Sequence, residues 1–346
     1  MREAWGRAAL GIFLEFRPIP VLLWSYTAVA LGTALAAAES GSVDGTWFAV
    51  AMALAALVQG WETHAVNEIF DWRSGTDRDA SLRALSGGSK VVPLGLLGMR
   101  GLWAVFAVSS ATIAVLAVIV GFARAPWLVL LVAAGYALGL GYTLPPVATA
   151  YRPFAGEWLG GFPGVLLAGV GAYAIQSLRV SVGALLVLAA HACICVAMLV
   201  MHHYADVAAD ARAVPLKRTT VVALGLPRAR TYATALAASG AALYGVAAFA
   251  VHPAFAIGAT LSAGSAIVHG RVRPGDLMSV TRHELRVIQL GLAAGLVPAA
   301  LVAPALWPLL PVAGAGYAAH LLAVAPPAGL ARAWRRTRPG DAPRRD

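Results

Sequence analysis

Hydrophobic residues run along this chain in long blocks rather than in alternation, and each block ends in a charged or Pro/Gly-rich stretch. Blocks of about 18–20 apolar residues have the length a helix needs to cross a bilayer core. They predict ten spans, at 19–38, 47–66, 102–122, 126–145, 158–176, 183–203, 231–251, 253–270, 287–306 and 309–325. Pro253 and Pro308 act as breakers in the two closest pairs. The short alternating segments of a membrane barrel are missing, so every crossing is expected to be helical. The pattern predicts an all-α, polytopic helical membrane protein with a single domain.

Composition supports that reading: the 346 residues are 60% hydrophobic and 12% charged, with a net charge of +10. With the N-terminus and the charged loops facing the cytoplasm, 24 of the 26 Lys and Arg fall on the inner side, and only Arg124 and Arg179 fall outside. Such a bias sets orientation in a cell membrane. The charge therefore reflects topology and contact with anionic lipid; no nucleic-acid partner is expected, since no basic soluble domain exists to carry it. "ALAAA" before Glu39 resembles the end of a signal peptide, but its apolar part is long for one and reads as the first span. Cys193 and Cys195 lie two apart in the sixth span, on different helix faces, which favours packing over a disulfide or metal pair.

Two clusters break the apolar pattern. "NEIFDWRSGTDRD", residues 67–79, directly follows the second span. Asn67 and Asp71 are four apart and share a helix face, with His64 one turn earlier on the same stripe. Asp77 follows Gly75, where the helix is expected to give way to a loop; it is either a metal ligand or a loop acid. The second cluster, "MHHYADVAADARAVPLKRTT" at 201–220, repeats the spacing in Asp206 and Asp210, with His202 one turn upstream. Asp71 and Asp206 are 135 residues apart, each at the inner end of an even-numbered span. That predicts two four-helix repeats around a central cavity, about 16–145 and 157–270, with extra helices over about 287–325.

Unpaired carboxylates are costly to bury, so the matched clusters point to a ligand. Hard oxygen donors on two faces at one membrane depth suit Mg²⁺, which bridges readily to phosphates. Arg73, Arg78, Lys90, Lys217 and Arg218 occupy the same loops, and acids with bases together imply a phosphorylated ligand. The bland alternative, solvated loop charges, stays open for Arg78, Asp79 and Arg83 taken singly.

With these motifs in place, the chain resembles the UbiA-type intramembrane aromatic prenyltransferases over roughly residues 16–300. Asn67, Asp71 and Asp77 resemble the family's first aspartate-rich motif, and Asp206 and Asp210 its second. "FRP" at 16–18, "SGGSKVVPLGLL" at 86–97, "YTLPPVATAYR" at 142–152 and "KRT" at 217–219 look like further family segments in order. Within the superfamily the first motif looks most like the 1,4-dihydroxy-2-naphthoate prenyltransferases of menaquinone synthesis. The resemblance implies an isoprenyl diphosphate donor, an aromatic acceptor, and Mg²⁺ held by Asn67, Asp71, Asp77, Asp206 and Asp210. It makes Asn67, Asp71, Asp206 and Asp210 the catalytic set. Arg73, Lys90, Tyr142, Arg152, Lys217 and Arg218 become candidates for the diphosphate oxygens, and His64, Glu68 and His202 supporting or acceptor-side groups. The sequence departs from the pattern at Glu68, where aspartate is common, at His202, where Asn is common, and in a longer linker from Asp210 to Lys217. Imidazole is a poor Mg²⁺ ligand, so His202 is expected to face substrate or support the site.

For Arg17, His64 and Glu157 the sequence leaves acceptor contact and structural pairing both open. "WLGGFPGVLLAGVGAY", 158–173, reads as close helix packing ahead of a tail channel. Trp24, Trp61 and Trp72 could face a cation, with core packing favoured for Trp24 and interfacial anchoring for Trp72. Two rivals share the motifs: a membrane-embedded terpene cyclase using the same diphosphate site, and a transporter of an anionic solute. Both clusters sit at one side of the membrane rather than its midplane, which weighs against transport.

Overall fold

The computed structural model describes residues 2–78 and 88–324, with side chains from residue 6. Asp79, Arg83, Ser86, Gly87 and the six arginines after residue 330 lie outside the described residues. Among the described residues every regular element is helical. The long helices are α1 (Arg2–Phe16), α2 (18–40), α3 (45–74), α4 (Met99–Ala123), α5 (Leu128–Thr143) and α6 (Gly156–Ser177), followed by α7 (Val182–His202), α8 (Leu226–Ala250), α9 (Phe255–Arg271), α10 (Leu277–Val302) and α11 (Leu309–Val324). Helices α2 to α11 occupy the ten apolar blocks. By length and composition, seven helical stretches of the described chain are apolar enough to cross a membrane. Helix α3 falls outside that set because Gln59, Glu62 and Glu68 interrupt it.

Several boundaries differ from expectation. Helix α1 precedes the first expected span and joins α2 through Arg17 at φ 50°. Helix α10 begins ten residues before the expected 287, because Asp276 caps it, accepting from Met278 N at 3.0 Å and Ser279 N at 3.1 Å. Helix α7 ends at His202, and a turn precedes the one-turn helix Val207–Asp210, so His202 does not share a continuous helix with the two aspartates. The four-residue link survives as Asp210 N donating to Asp206 O at 2.9 Å.

The core lies where α2, α6, α7, α8 and α10 meet, and includes the fully buried Leu23, Leu31, Tyr173, Leu188, Ile194 and Tyr244. Backbones approach closely there: a Cβ on Gly32 of α2 would sit 2.0 Å from Gly169 O of α6. Large apolar residues cover the outer faces instead of polar ones. Phe122 is 91% exposed and Phe249 96%, an arrangement suited to lipid and not to water.

At one end, Arg124 donates to Ile175 O and Gln176 O at 2.9 Å each. There too, Arg179 pairs with Glu39, which also accepts from Tyr173 Oη at 2.6 Å. The polar clusters gather at the opposite end, where the α3, α5 and α7 termini meet.

Candidate active site

A cavity of about 300 Å³ opens at the polar end and runs between the helices. Its deep wall is apolar, formed by Val29, Ala51, Val120, Leu128, Leu131 and Ile175. Its polar mouth holds Asn67, Asp71, Asp77, Lys90, Asp206 and Lys217. Two successive turns of α3 place Asn67 and Asp71 on the cavity side, about 6 Å apart along the axis. The helix stops at Gly75 with φ 91°, and Asp77 N returns to Asp71 O at 3.4 Å, so the loop folds back beneath the carboxylate. The second loop is tied to the first, Val214 N donating to Ser74 O at 3.0 Å.

Asp71 is the hub. Lys217 Nζ donates to its Oδ2 at 2.6 Å, Tyr151 Oη to its Oδ1 at 2.9 Å, and Asn67 Nδ2 to Oδ2 at 3.2 Å. Lys217 Nζ also lies 3.9 Å from Asp210 Oδ1 and 5.7 Å from the Tyr151 ring. Asp71, Asp77, Asp206 and Asp210 are all buried, while Lys217 is the one buried Lys or Arg among the described residues. Among the described residues, Asp77 Oδ2 and both carboxylate oxygens of Asp210 have no hydrogen-bond partner.

That imbalance shows in the protonation equilibria. Burial, reinforced by the charges of Asp71 and Glu68, pushes the Asp77 carboxyl well above its ordinary range. Burial likewise pushes Asp210 up to about 7, against the opposing pull of Lys217. Burial works against the Lys217 charge, but Asp71 and then Asp210 outweigh it and hold the ammonium well above its usual value.

The profile of the UbiA prenyltransferase family matches residues 23–282. The chain belongs to this family. It is a prenyltransferase. Its fold is similar to that of a UbiA homolog from Archaeoglobus fulgidus bound to GPP and Mg²⁺, with a TM-score of 0.58, 16% identity, and coverage of 84% of this chain and 99% of that one. The same homolog bound to DMAPP and Mg²⁺ gives a TM-score of 0.58 and 16% identity, covering 82% of this chain and 98% of that one. No curated protein sequence matches.

In this UbiA family member the structure brings some expected residues together and separates others. Asn67, Asp71, Asp77, Lys90, Tyr142, His64, His202, Asp206 and Lys217 line the cavity. Glu68 and Asp210 are buried but do not line it; Glu68 Oε2 accepts from Ser89 N at 2.7 Å and so braces the loop that carries Lys90. Arg73, Arg152 and Arg218 are exposed and outside the cavity wall. Arg73 is two residues beyond Asp71, about 200° around the helix, and so points away from it. Arg152 turns back to the Pro146 carbonyl. Among the described residues no three His, Cys, Asp or Glu side chains already converge as a metal cluster, because Lys217 stands between Asp71 and Asp210.

Glu157 pairs structurally: its Oε2 accepts from Thr220 at 2.8 Å, and Thr220 in turn accepts from Phe154 N at 2.7 Å. Arg17 and Trp24 line the cavity, whereas Trp61 packs on Phe16 with ring centroids 4.8 Å apart. Sequence reasoning missed three groups: Tyr151, His203 and Glu284. Tyr151 lies inside the Tyr-x-x-Pro-Pro segment, but the spacing alone does not show that the chain turns to bring it to Asp71. Glu284 sits in a charged stretch that the hydropathy pattern excludes from the ninth span.

Proposed function

We propose that this enzyme transfers a prenyl group from an isoprenyl diphosphate to an aromatic acceptor of the dihydroxynaphthoate type, with Mg²⁺, as a step of menaquinone synthesis. One observation carries the proposal: three buried carboxylates, Asp71, Asp77 and Asp206, line the mouth of an apolar cavity with Asp210 buried behind them, against one buried ammonium among the described residues. Burying that much negative charge is unfavourable without a cation, and the oxygens of Asp77 and Asp210 that accept no hydrogen bond among the described residues leave donors for one. All are hard oxygens, which fits Mg²⁺. Asn67, Asp71, Asp77, Asp206 and Asp210 would hold it. Bound there, it supplies the charge that neutralises the departing diphosphate.

Lys217, Lys90 and Tyr142 face the cavity and are assigned to the diphosphate oxygens. Lys217 is held by Asp71 and Asp210, so it is already charged and placed where the leaving group gains charge. The apolar wall takes the isoprenoid tail and keeps water from the allylic cation. Preorganised charge of this kind is worth about 3 kcal/mol per donor in typical sites. Asp71→Asn and Asp206→Asn are therefore each expected to lower turnover at least about 100-fold while the protein still inserts and folds. EDTA should do the same reversibly. Full activity after chelation, or in both variants, would overturn the assignment.

A further inference from the structure

Donor activation uses the carboxylate mouth, yet a second polar group lines the cavity on the side formed by α7, α10 and α11. His202 Nδ1 lies 2.8 Å from Glu284 Oε1, and the Glu284 side chain is 3% exposed. A carboxylate can only accept, so Nδ1 carries the proton and the lone pair of the ring is left on Nε2. His202 and Glu284 both line the cavity, beside Ile288. His320 of α11 lines it as well, and Ile19 N donates to His320 Nδ1 at 3.2 Å. That bond makes Nδ1 the acceptor and puts the His320 proton on Nε2. The wall thus offers one nitrogen lone pair and one N–H. This pairing suits a phenolic compound that carries a hydroxyl and a second oxygen, from a carboxylate or carbonyl.

We propose that His202, oriented by Glu284, is the base that removes the hydroxyl proton of the aromatic acceptor, and that His320 binds a second oxygen of the same acceptor. The proposal rests on the aromatic-transfer reading above. In the step, His202 Nε2 takes the hydroxyl proton and the ring carbon beside that oxygen bonds to C1 of the prenyl group. The C1–O bond breaks with its electron pair leaving on the diphosphate. The attacked carbon then gives its proton to an oxygen of the departed diphosphate, or loses its carboxyl as CO₂, and that bond's electrons restore the aromatic ring. The oxygen recovers a proton from His202. Glu284 holds the imidazole in the required tautomer and stabilises its charged form, as a carboxylate does for any catalytic histidine. Glu284 is a positioning residue, because it acts through His202.

The test uses purified full-length enzyme with Mg²⁺, a prenyl diphosphate, and a series of phenolic acceptors of increasing acidity. His202→Gln is expected to lower kcat for dihydroxynaphthoate transfer about 100-fold. Binding of a non-reactive thio-analogue of the donor should stay at the wild-type Kd, which also reports folding. The deficit should shrink as the acceptor becomes acidic enough to be ionised without help. Glu284→Gln should show a smaller deficit with the same dependence on acceptor acidity, and His320→Ala an acceptor KM raised about tenfold. Undiminished transfer by His202→Gln would overturn the proposal, as would a deficit that is constant across the series or accompanied by lost donor binding. A wild-type enzyme that releases diphosphate and a terpene but never an aryl product would overturn the aromatic reading, and this assignment with it.

Discussion

A Cβ added at Gly88 would lie 2.3 Å from Glu68 Oε2 and 2.6 Å from Asp77 Oδ2, at a φ of +74° that side chains rarely adopt. Gly88→Ala is thus expected to displace the carboxyls it abuts, lowering activity at least tenfold and the unfolding free energy by about 1 kcal/mol or more. Assays alongside thermal melts check both effects. The buried acids also predict a pH dependence. The folded chain keeps protons on Asp77 and Asp210, the latter up to about 7, which the unfolded chain releases near the ordinary value of about 4. Between those values the unfolded state binds fewer protons, so the contribution of these groups to stability falls as pH rises. In EDTA, Tm should drop from pH 5 to pH 8, and the drop should be smaller in Asp210→Asn. Mg²⁺ favours the ionised carboxylates and should raise Tm more at pH 8 than at pH 5. A slope unchanged by the substitution would count against Asp210 as its source.

Helix α6 shows how one element serves two ends at once. Its glycine-rich stretch reads from sequence as close packing ahead of a channel, and in the structure one face packs closely while the other lines the cavity. Gly169 meets α2 and α7: a Cβ there would lie 2.1 Å from Leu188 Cδ2. Gly164 and Gly171 line the cavity, with nothing within 4 Å of an added Cβ. Residues 169 and 171 are about 200° apart on the helix, which separates the roles. Gly32→Ala, which drives a methyl into the Gly169 carbonyl, is expected to cost about 1–3 kcal/mol and to lower Tm. Gly171→Leu fills open space instead. It should keep Tm near the wild-type value and discriminate against the longest prenyl donors, as measured by relative kcat/KM across a chain-length series. Equal kcat/KM across that series would remove the tail from this part of the cavity.

Across the whole molecule, the charged loops that form the site lie at one end of the bundle, while Arg124 and Arg179 lie at the other. Basic residues resist translocation, so we expect the site, the N-terminus and the arginine-rich tail to face the cytoplasm. Nine crossings would leave 18 of the 26 Lys and Arg inside, against 24 for ten. The tenth apolar helix, α11, is also joined to the start of α2 through Ile19 and His320. A reporter fused after Asp346 should be active on the cytoplasmic side only. An external signal would mean an odd number of crossings.

How much of this was legible along the chain depends on the range of the interactions. Helix positions follow from runs of apolar side chains, because bilayer thickness imposes a length on each run and lipid forbids exposed backbone. The Asn67–Asp71 pair follows from local helix geometry, and the bias of basic residues from their cost of translocation. The sequence by itself therefore determined the class of fold, the expected crossings and the carboxylate clusters with their matched spacing. Only the tertiary structure decided which bases reach those carboxylates. Lys217 meets Asp71 across 146 residues, Tyr151 meets it across 80, and Glu284 meets His202 across 82. It also turned Arg73, Arg152 and Arg218 away, since a charge near a motif in the chain can stay solvated on the far face of its own helix or loop. Spacing encodes direction only within one helix; between helices, side chains meet where packing of the apolar surfaces brings them.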